Sequence, residues 1–440
     1  MSITVENPTS ASLVLLSAVS KIKARTLPLF VVMFIVNYLD RVNVGFIKES
    51  LQNDLGFDSA TYGLGAGLFF IGYAVFEVPS NLLLQRLGAK IWLTRITITW
   101  GIIASLLAFA KTSNQFYGLR FALGAAEAGF FPGVIYYFTR WLPAANRGKA
   151  LALFLSGSAI ASILSGPLSA VLMRITSFGL KGWQNMLIIE GLFSVAIGVV
   201  AWFWLDSNYD DATWLTQPEK AALQSVLETE QQMREEQTVR PSTRYLLKDP
   251  QILIYCLIYF AIQLSIYAAT FWLPTLIRKM GTLSHLQVGF LNSIPWIISI
   301  ASMYGFAAAA ARWKGQRVWI AIALMMAAIG MFLSTTSGPI LSFIAICFAA
   351  LGFKSASSLF WPLPQAYLDA RIAAAVIALI NAVGNLGGFV APTVFGYLEK
   401  NTGSVSGGLY GLTATSLLAV GLLLLVRSTR SRQGFHFPQS

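Results

Sequence analysis

Twelve apolar runs, each long enough to cross a bilayer, follow one another along the chain with short polar breaks between most of them. A helix needs about 20 mostly apolar residues to cross the ~30 Å hydrocarbon layer. Runs at 27–46, 60–83, 91–110, 115–138, 148–172 and 183–205 meet that length, and so do 251–276, 287–311, 317–336, 339–362, 372–397 and 407–426. One longer polar stretch, 206–250, divides them six and six. It is rich in Glu, Gln, Arg and Asp, and 217–232 within it carries helical spacing without enough apolar length to span. The pattern predicts an all-α integral membrane protein with a tail at 1–26, a six-helix bundle at 27–205, a linker at 206–250, a second bundle at 251–426 and a tail at 427–440.

Composition narrows the class. Of 440 residues, 56% are hydrophobic and 11% charged, and the mean hydropathy is +0.64. A soluble domain carries about a quarter charged residues, because its surface faces water. The net charge of +12 raises the question of nucleic acid, but the basic residues lie in short loops between apolar runs and form no single patch. Cys256 and Cys347 fall inside apolar runs and read as small buried hydrophobes, with neither disulfide nor metal spacing. His285 and His436 are the two histidines, too few for most hydrolytic metal or triad chemistry, so no enzyme is expected. The first apolar run is too long for a removable signal peptide and reads as a first span. Most of the 31 Lys and Arg fall on one side if both termini and the linker are placed inside, which predicts cytoplasmic termini.

The charges that remain inside the runs carry the chemistry, since each costs about 2.5–3.5 kcal/mol at the bilayer centre and persists where a partner or a polar cavity receives it. Span 1 contains Asn37, Asp40, Arg41, Asn43 and Gly45. Span 4 contains Arg120, Gly124, Glu127 and Gly129. Arg120 and Glu127 are two helical turns apart, on one face at about 10.5 Å along the axis. Two acids and two bases on two spans make either a permanent lock or an ion-pair set that exchanges partners, and four groups exceed what one lock needs. Arg95 in span 3 is close enough to an end to snorkel. Glu77 in span 2 suits a gate or packing role, and Glu190 beside Gly191 in span 6 suits a hydrogen bond to a neighbouring span. Lys354 stands mid-span among Gly352, Ser355, Ser357 and Ser358, with no acid in spans 7 to 12 as delimited here, so its partner is either in the first half or is the substrate. Polar neutral candidates for substrate contact are Ser156 and Ser158, Gln263 and Tyr267 one turn apart, and Asn381 and Asn385 likewise; each pair can equally bond between helices. Trp272, Phe360 and Trp361 read as packing residues.

Four segments then become recognisable: Tyr38-Leu39-Asp40-Arg41-Val42-Asn43-Val44-Gly45-Phe46, Phe76-Glu77-Val78-Pro79-Ser80-Asn81, Leu119-Arg120 through Pro132-Gly133, and Asn385-Leu386-Gly387-Gly388-Phe389-Val390-Ala391-Pro392. With these the chain resembles the anion:cation symporters of the major facilitator superfamily over nearly its whole length, and within them the bacterial permeases for sugar acids and hydroxy acids such as tartrate or rhamnonate. The resemblance implies that Asp40 and Glu127 are the protonatable pair, that Arg41 binds the substrate carboxylate and that Arg120 holds the acids ionised. Ser158 stands where relatives carry a glutamine facing sugar hydroxyls. The superfamily's loop after span 2, Gly then Asp-Arg then Gly and basic residues, is here Asn81, Gln85-Arg86, Gly88 and Lys90, without the acid. The matching loop after span 8 keeps Arg312, Gly315 and Arg317. Lys354 is outside the family signature.

The expectation is a monomeric secondary transporter of a bacterial inner membrane, carrying a small organic anion such as tartrate or an aldonate with protons as the coupling ion. No other cofactor, no metal and no nucleic-acid partner is expected. The alternatives are another organic anion (an aromatic carboxylate or a sulfonate) and a proton-driven exporter.

Overall fold

A computed structural model describes residues 10–237, 249–313, 315–336, 338–367 and 370–426. The start of the first tail, 1–9, the tail expected at 427–440, and 238–248 of the linker lie outside the described residues. Among the described residues the chain is helical with no strand, and twelve helical spans are long and apolar enough to cross a membrane. They run Leu13–Leu55, Ser59–Leu87, Ala89–Phe109, Ser113–Trp141, Ala144–Leu172, Gly182–Trp204, Pro250–Arg278, His285–Trp313, Gln316–Thr336, Pro339–Gln365, Val376–Thr402 and Ser406–Leu425. The apolar pattern predicts each of them. Phe203 is 79% and Leu424 84% uncovered by protein, as a lipid-facing surface requires.

Spans 1 and 11 outrun their predicted ends by several residues, and paired charge is the reason. A count of apolar residues stops span 1 at Phe46 and span 11 at Tyr397, placing Lys48 and Glu399 in loops. Instead the first span continues through Lys48, and span 11 continues through Glu399. The absence of acids expected in spans 7 to 12 is thereby corrected. Lys48 (2% exposed) pairs with Glu399, and Trp272 donates its indole N–H to the same carboxylate at 3.1 Å. The Lys48 ammonium also lies 4.8 Å from the Trp272 ring centre. Two charges that neutralise each other under an aromatic roof extend a span where an unpaired one would end it. Lys48→Ala, which strands the carboxylate, is expected to cost about 3 kcal/mol and lower the melting temperature in detergent. The double neutral variant Lys48→Met with Glu399→Gln is expected to recover most of that loss.

The chain divides into two compact units, Met1–Asn43 with Ile71–Thr238, and Val44–Phe70 with Val239–Ser440. In the first, spans 3 and 6 pack backbone to backbone, because Gly101 and Gly191 face each other and a β-carbon on Gly101 would fall 2.5 Å from the Gly191 carbonyl. The linker helix, Gln217–Gln237, begins where predicted and docks on this unit. Its Glu219 accepts from Ser17 at 2.7 Å and Lys21 at 2.9 Å, and Glu230 pairs with Arg147 at 2.7 Å. Burial works to raise the Glu219 carboxyl, but Lys21, Ser17 and the Thr216 amide outweigh it and hold the pKa down at about 2. In the second unit, small residues again set the spacing: Gly330 rests on Ala345 and Ala349, and Gly352 on Ala323 and Ala327, joining spans 9 and 10. Residues 44–70 pack with this unit, where Tyr62 meets Trp272 edge to face at 5.4 Å.

Candidate functional site

Both charged segments of the first unit lie at interruptions of their helices. The first helix, Ser10–Val42, stops at Asn43 and resumes at Val44–Leu55, which places Asp40 and Arg41 in its last turn. In span 4 the helix Ser113–Glu127 ends on Glu127 itself, and a new one starts at Phe130. Gly129 makes that break possible: its φ of 87° is left-handed, and a side chain there would run into the Ser80 hydroxyl. Ser80 donates to the buried Ala128 carbonyl at 2.6 Å and accepts from Trp92 Nε1 at 2.9 Å, so the opened backbone stays satisfied. Pro132 falls in the first turn of the new helix, where its missing N–H costs nothing.

Glu127 is fully buried and pairs with Arg41, which also lies 5.5 Å from the Tyr73 ring centre. The structure gives Glu127 the guanidinium of span 1, while Arg120, also fully buried, acts on Glu127 as a second positive charge. Among the described residues no cation pairs with Asp40 (1% exposed). Its Oδ2 accepts from Trp100 Nε1 at 3.1 Å and from the Ser194 hydroxyl at 2.5 Å. Glu77 is half-buried and within reach of the Arg41 charge. Arg95 lies over the Trp92 ring at 3.8 Å.

The second unit places its candidates more loosely. Lys354 lies 5.0 Å from the ring centre of Trp296 and forms no ion pair among the described residues. Tyr267 and Asn385 meet, the phenol donating to Asn385 Oδ1 at 3.4 Å. Gln263 packs against Gly384, one residue before Asn385, and Asn381 lies one turn before Asn385 on the same helix. Ser156 and Ser158, in the first unit, donate to the carbonyls of Leu153 at 2.6 Å and Leu155 at 2.8 Å, so each hydroxyl is spent on its own helix. In the loop after span 2, Gly88 adopts φ 87°, Arg86 is exposed and Lys90 lies 5.8 Å from the Trp202 ring. In the loop after span 8, Arg312 lies over Trp313 at 5.6 Å and Arg317 donates to the Val426 carbonyl at 2.5 Å.

Twelve helical spans with opposed charges built into a broken-helix pair define the class: an integral membrane transporter, not an enzyme. The Major Facilitator Superfamily profile matches residues 29–392, and the chain belongs to that superfamily. It is 38% identical to a protein of Agrobacterium vitis named for tartrate transport, over 94% of this chain and 95% of that one. It is 39% identical to a quinolone resistance transporter of Acinetobacter baumannii, over 93% and 94%. The crystal structure of a D-xylose-proton symporter superposes with a TM-score of 0.73 at 15% identity, covering 92% of this chain and 98% of the other, a likeness of fold. The tartrate-named relative agrees with the resemblance drawn from the motifs of spans 1 and 4. Helical spans and bacterial relatives together make this a multi-pass protein of the bacterial inner membrane, since spanning proteins of the outer membrane are barrels.

Proposed function

We propose that the protein imports a small hydroxylated carboxylate together with protons, by alternating access, with both termini on the cytoplasmic side. The observation that carries this reading is the ion pair between Arg41 and Glu127 beside a cation-free Asp40, all on interrupted helices of one unit. Glu127, when ionised, occupies Arg41. A proton on Glu127 releases that guanidinium, which then offers its fork to a carboxylate as a bidentate partner. Neither partner alone serves: a protonated site without anion leaves a buried cation unpaired, at a cost of several kcal/mol. The loaded state with proton and anion together is the one that passes through closure cheaply, and this is coupling. Loss of the proton to the more alkaline side returns Glu127 to Arg41 and expels the anion. Each pH unit supplies about 1.4 kcal/mol per proton. Each net charge moved adds about 2.3 kcal/mol per 100 mV.

Arg120 reinforces the positive field at Glu127. Lys354 supplies an anion contact of its own, steadied on Trp296. Lys354→Met is expected to change the substrate profile, lowering uptake of dianions more than monoanions. An unchanged ranking of substrates in competition assays would make the lysine structural.

The test is uptake by proteoliposomes of a panel of labelled organic acids under an inward proton gradient, with and without an uncoupler. Accumulation of a hydroxy or sugar acid that the uncoupler abolishes supports the proposal. The quinolone-resistance relative favours a second reading, proton-driven export. Gradient-driven efflux of a quinolone, with no acid of the panel taken up, would select it.

A further inference from the structure

A second carboxylate lies behind Asp40. Glu190 on span 6 is 5% exposed, and its Oε2 accepts from Asn43 Nδ2 at 2.8 Å. The links form a ladder: Asp40 bonds Ser194, and Asn43, three residues on, bonds Glu190, four residues back, as antiparallel helices require. Every donor in it is neutral. Among the described residues neither carboxylate makes an ion pair.

The charged groups facing the cluster do not supply the missing cation. On span 1 Arg41 pairs with Glu127. On span 4 Glu127 faces Asp40 as a like charge, and Arg120 acts on Glu127. Span 3 contributes Trp100, while its Arg95 turns onto Trp92. Span 5 brings the Ser169 hydroxyl, and span 6 has no other charged residue than Glu190. The charge that bears on Glu190 is therefore Asp40, of its own sign.

Two carboxylates in a dry interior without a cation cannot both stay ionised. The unsatisfied atoms say where the proton belongs. Asp40 Oδ1, Glu190 Oε1 and Asn43 Oδ1 are buried and accept no hydrogen bond within the distance limit among the described residues. Buried polar atoms are paired almost without exception, and the Ser169 hydroxyl beside Glu190 can serve only one of these three acceptors. One proton on Glu190 turns an acceptor into a donor, and Asn43 Oδ1 is the acceptor left over in that same acid–amide pair.

We infer that Glu190 holds a transported proton and exchanges it with Asp40, so that the coupling element is three carboxylates, Glu127, Asp40 and Glu190, rather than two. In the exchange one O–H bond breaks at Glu190 and one forms at Asp40; no other bond changes. The inference rests on the proposed proton coupling and is tested apart from it.

Infrared difference spectra of the full-length protein in lipid read the proton directly. A carboxylic-acid C=O band that shifts in D2O is expected, absent in Glu190→Gln and present in Glu127→Gln. Asn43→Ala is expected to move this band upward, as loss of a hydrogen bond does, and serves if Glu190→Gln fails to fold. In proteoliposomes, Glu190→Gln is expected to carry one proton fewer per anion, so that the accumulation ratio held by one pH unit falls about tenfold. A band that survives Glu190→Gln, or fails to move in Asn43→Ala, overturns the inference, as does an unchanged stoichiometry with uncoupler sensitivity intact. Wild-type uptake indifferent to the uncoupler would instead overturn the coupling reading, and the exchange step with it, even if the band is present.

Discussion

Arg41→Ala is expected to reduce anion uptake by at least about a hundredfold, while the protein still inserts into the membrane. Truncating one member of a buried, hydrogen-bonded charge pair costs about 2–5 kcal/mol, and about 2.7 kcal/mol is already two decades of rate. The loss has two sources that a single variant confounds. Removing the guanidinium takes away the proposed carboxylate clamp and also strands Glu127, which is fully buried. The double variant Arg41→Ala with Glu127→Gln separates them, because a neutral glutamine needs no counter-charge. If Arg41 clamps the substrate, the double variant regains thermal stability but not uptake. If Arg41 merely balances Glu127, the double variant regains both. Arg41→Lys sharpens the point: a lysine keeps the charge but loses the planar fork, so a residual uptake with weakened affinity is expected. Uptake is measured as the initial rate of labelled-for-unlabelled anion exchange in proteoliposomes, and stability as the melting temperature of the same preparations.

The four charged residues of spans 1 and 4 are legible in the sequence because an apolar run makes a charge conspicuous. Asp40, Arg41, Arg120 and Glu127 each interrupt one, and the motifs around them are specific. Their pairing is less legible. Helical periodicity puts Arg120 and Glu127 on one face of a straight helix, and within a straight helix it has nothing to say about span 1. The actual partner of Glu127 is Arg41, reached across helices whose interruptions lie at Asn43 and at Ala128–Gly129. Trp100 and Ser194, which hold Asp40, leave no signal, since an indole and a hydroxyl are ordinary in any span. Glu190 stands out as a charge, but its proximity to Asp40 depends on the packing of span 6 against span 1, where Ser194 bonds Asp40 and Asn43 bonds Glu190. Lys48 and Glu399 fall into loops in the apolar pattern for a related reason. A hydropathy count ends a run where charged and polar residues crowd its end, and only packing reveals that two of those charges cancel. The ends of span 1 illustrate the scale of that error: it runs 43 residues, about twice what the bilayer demands.

The second large effect belongs to Glu127→Gln, which is expected to abolish accumulation driven by a proton gradient while leaving exchange of labelled for unlabelled anion in place. Glutamine mimics the protonated acid in volume and in having no charge, so Arg41 is released permanently. An anion can then bind and be carried in either direction without waiting for a proton. Exchange needs only that the loaded site changes face, so it persists. Net accumulation needs an anion that cannot bind until a proton has, and an amide at this position removes that requirement. For each proton uncoupled, one pH unit of gradient loses about a tenfold concentration ratio. The wild type and the variant are therefore expected to diverge with the imposed gradient and to agree when none is applied. The pH dependence of exchange carries the same logic. In the wild type, exchange at fixed anion falls as rising pH returns Glu127 to Arg41; in the variant that component is gone. If Glu127→Gln still accumulates anion against its gradient with wild-type sensitivity to the uncoupler, Glu127 is not the residue that conveys the proton, and the coupling falls to Asp40 and Glu190.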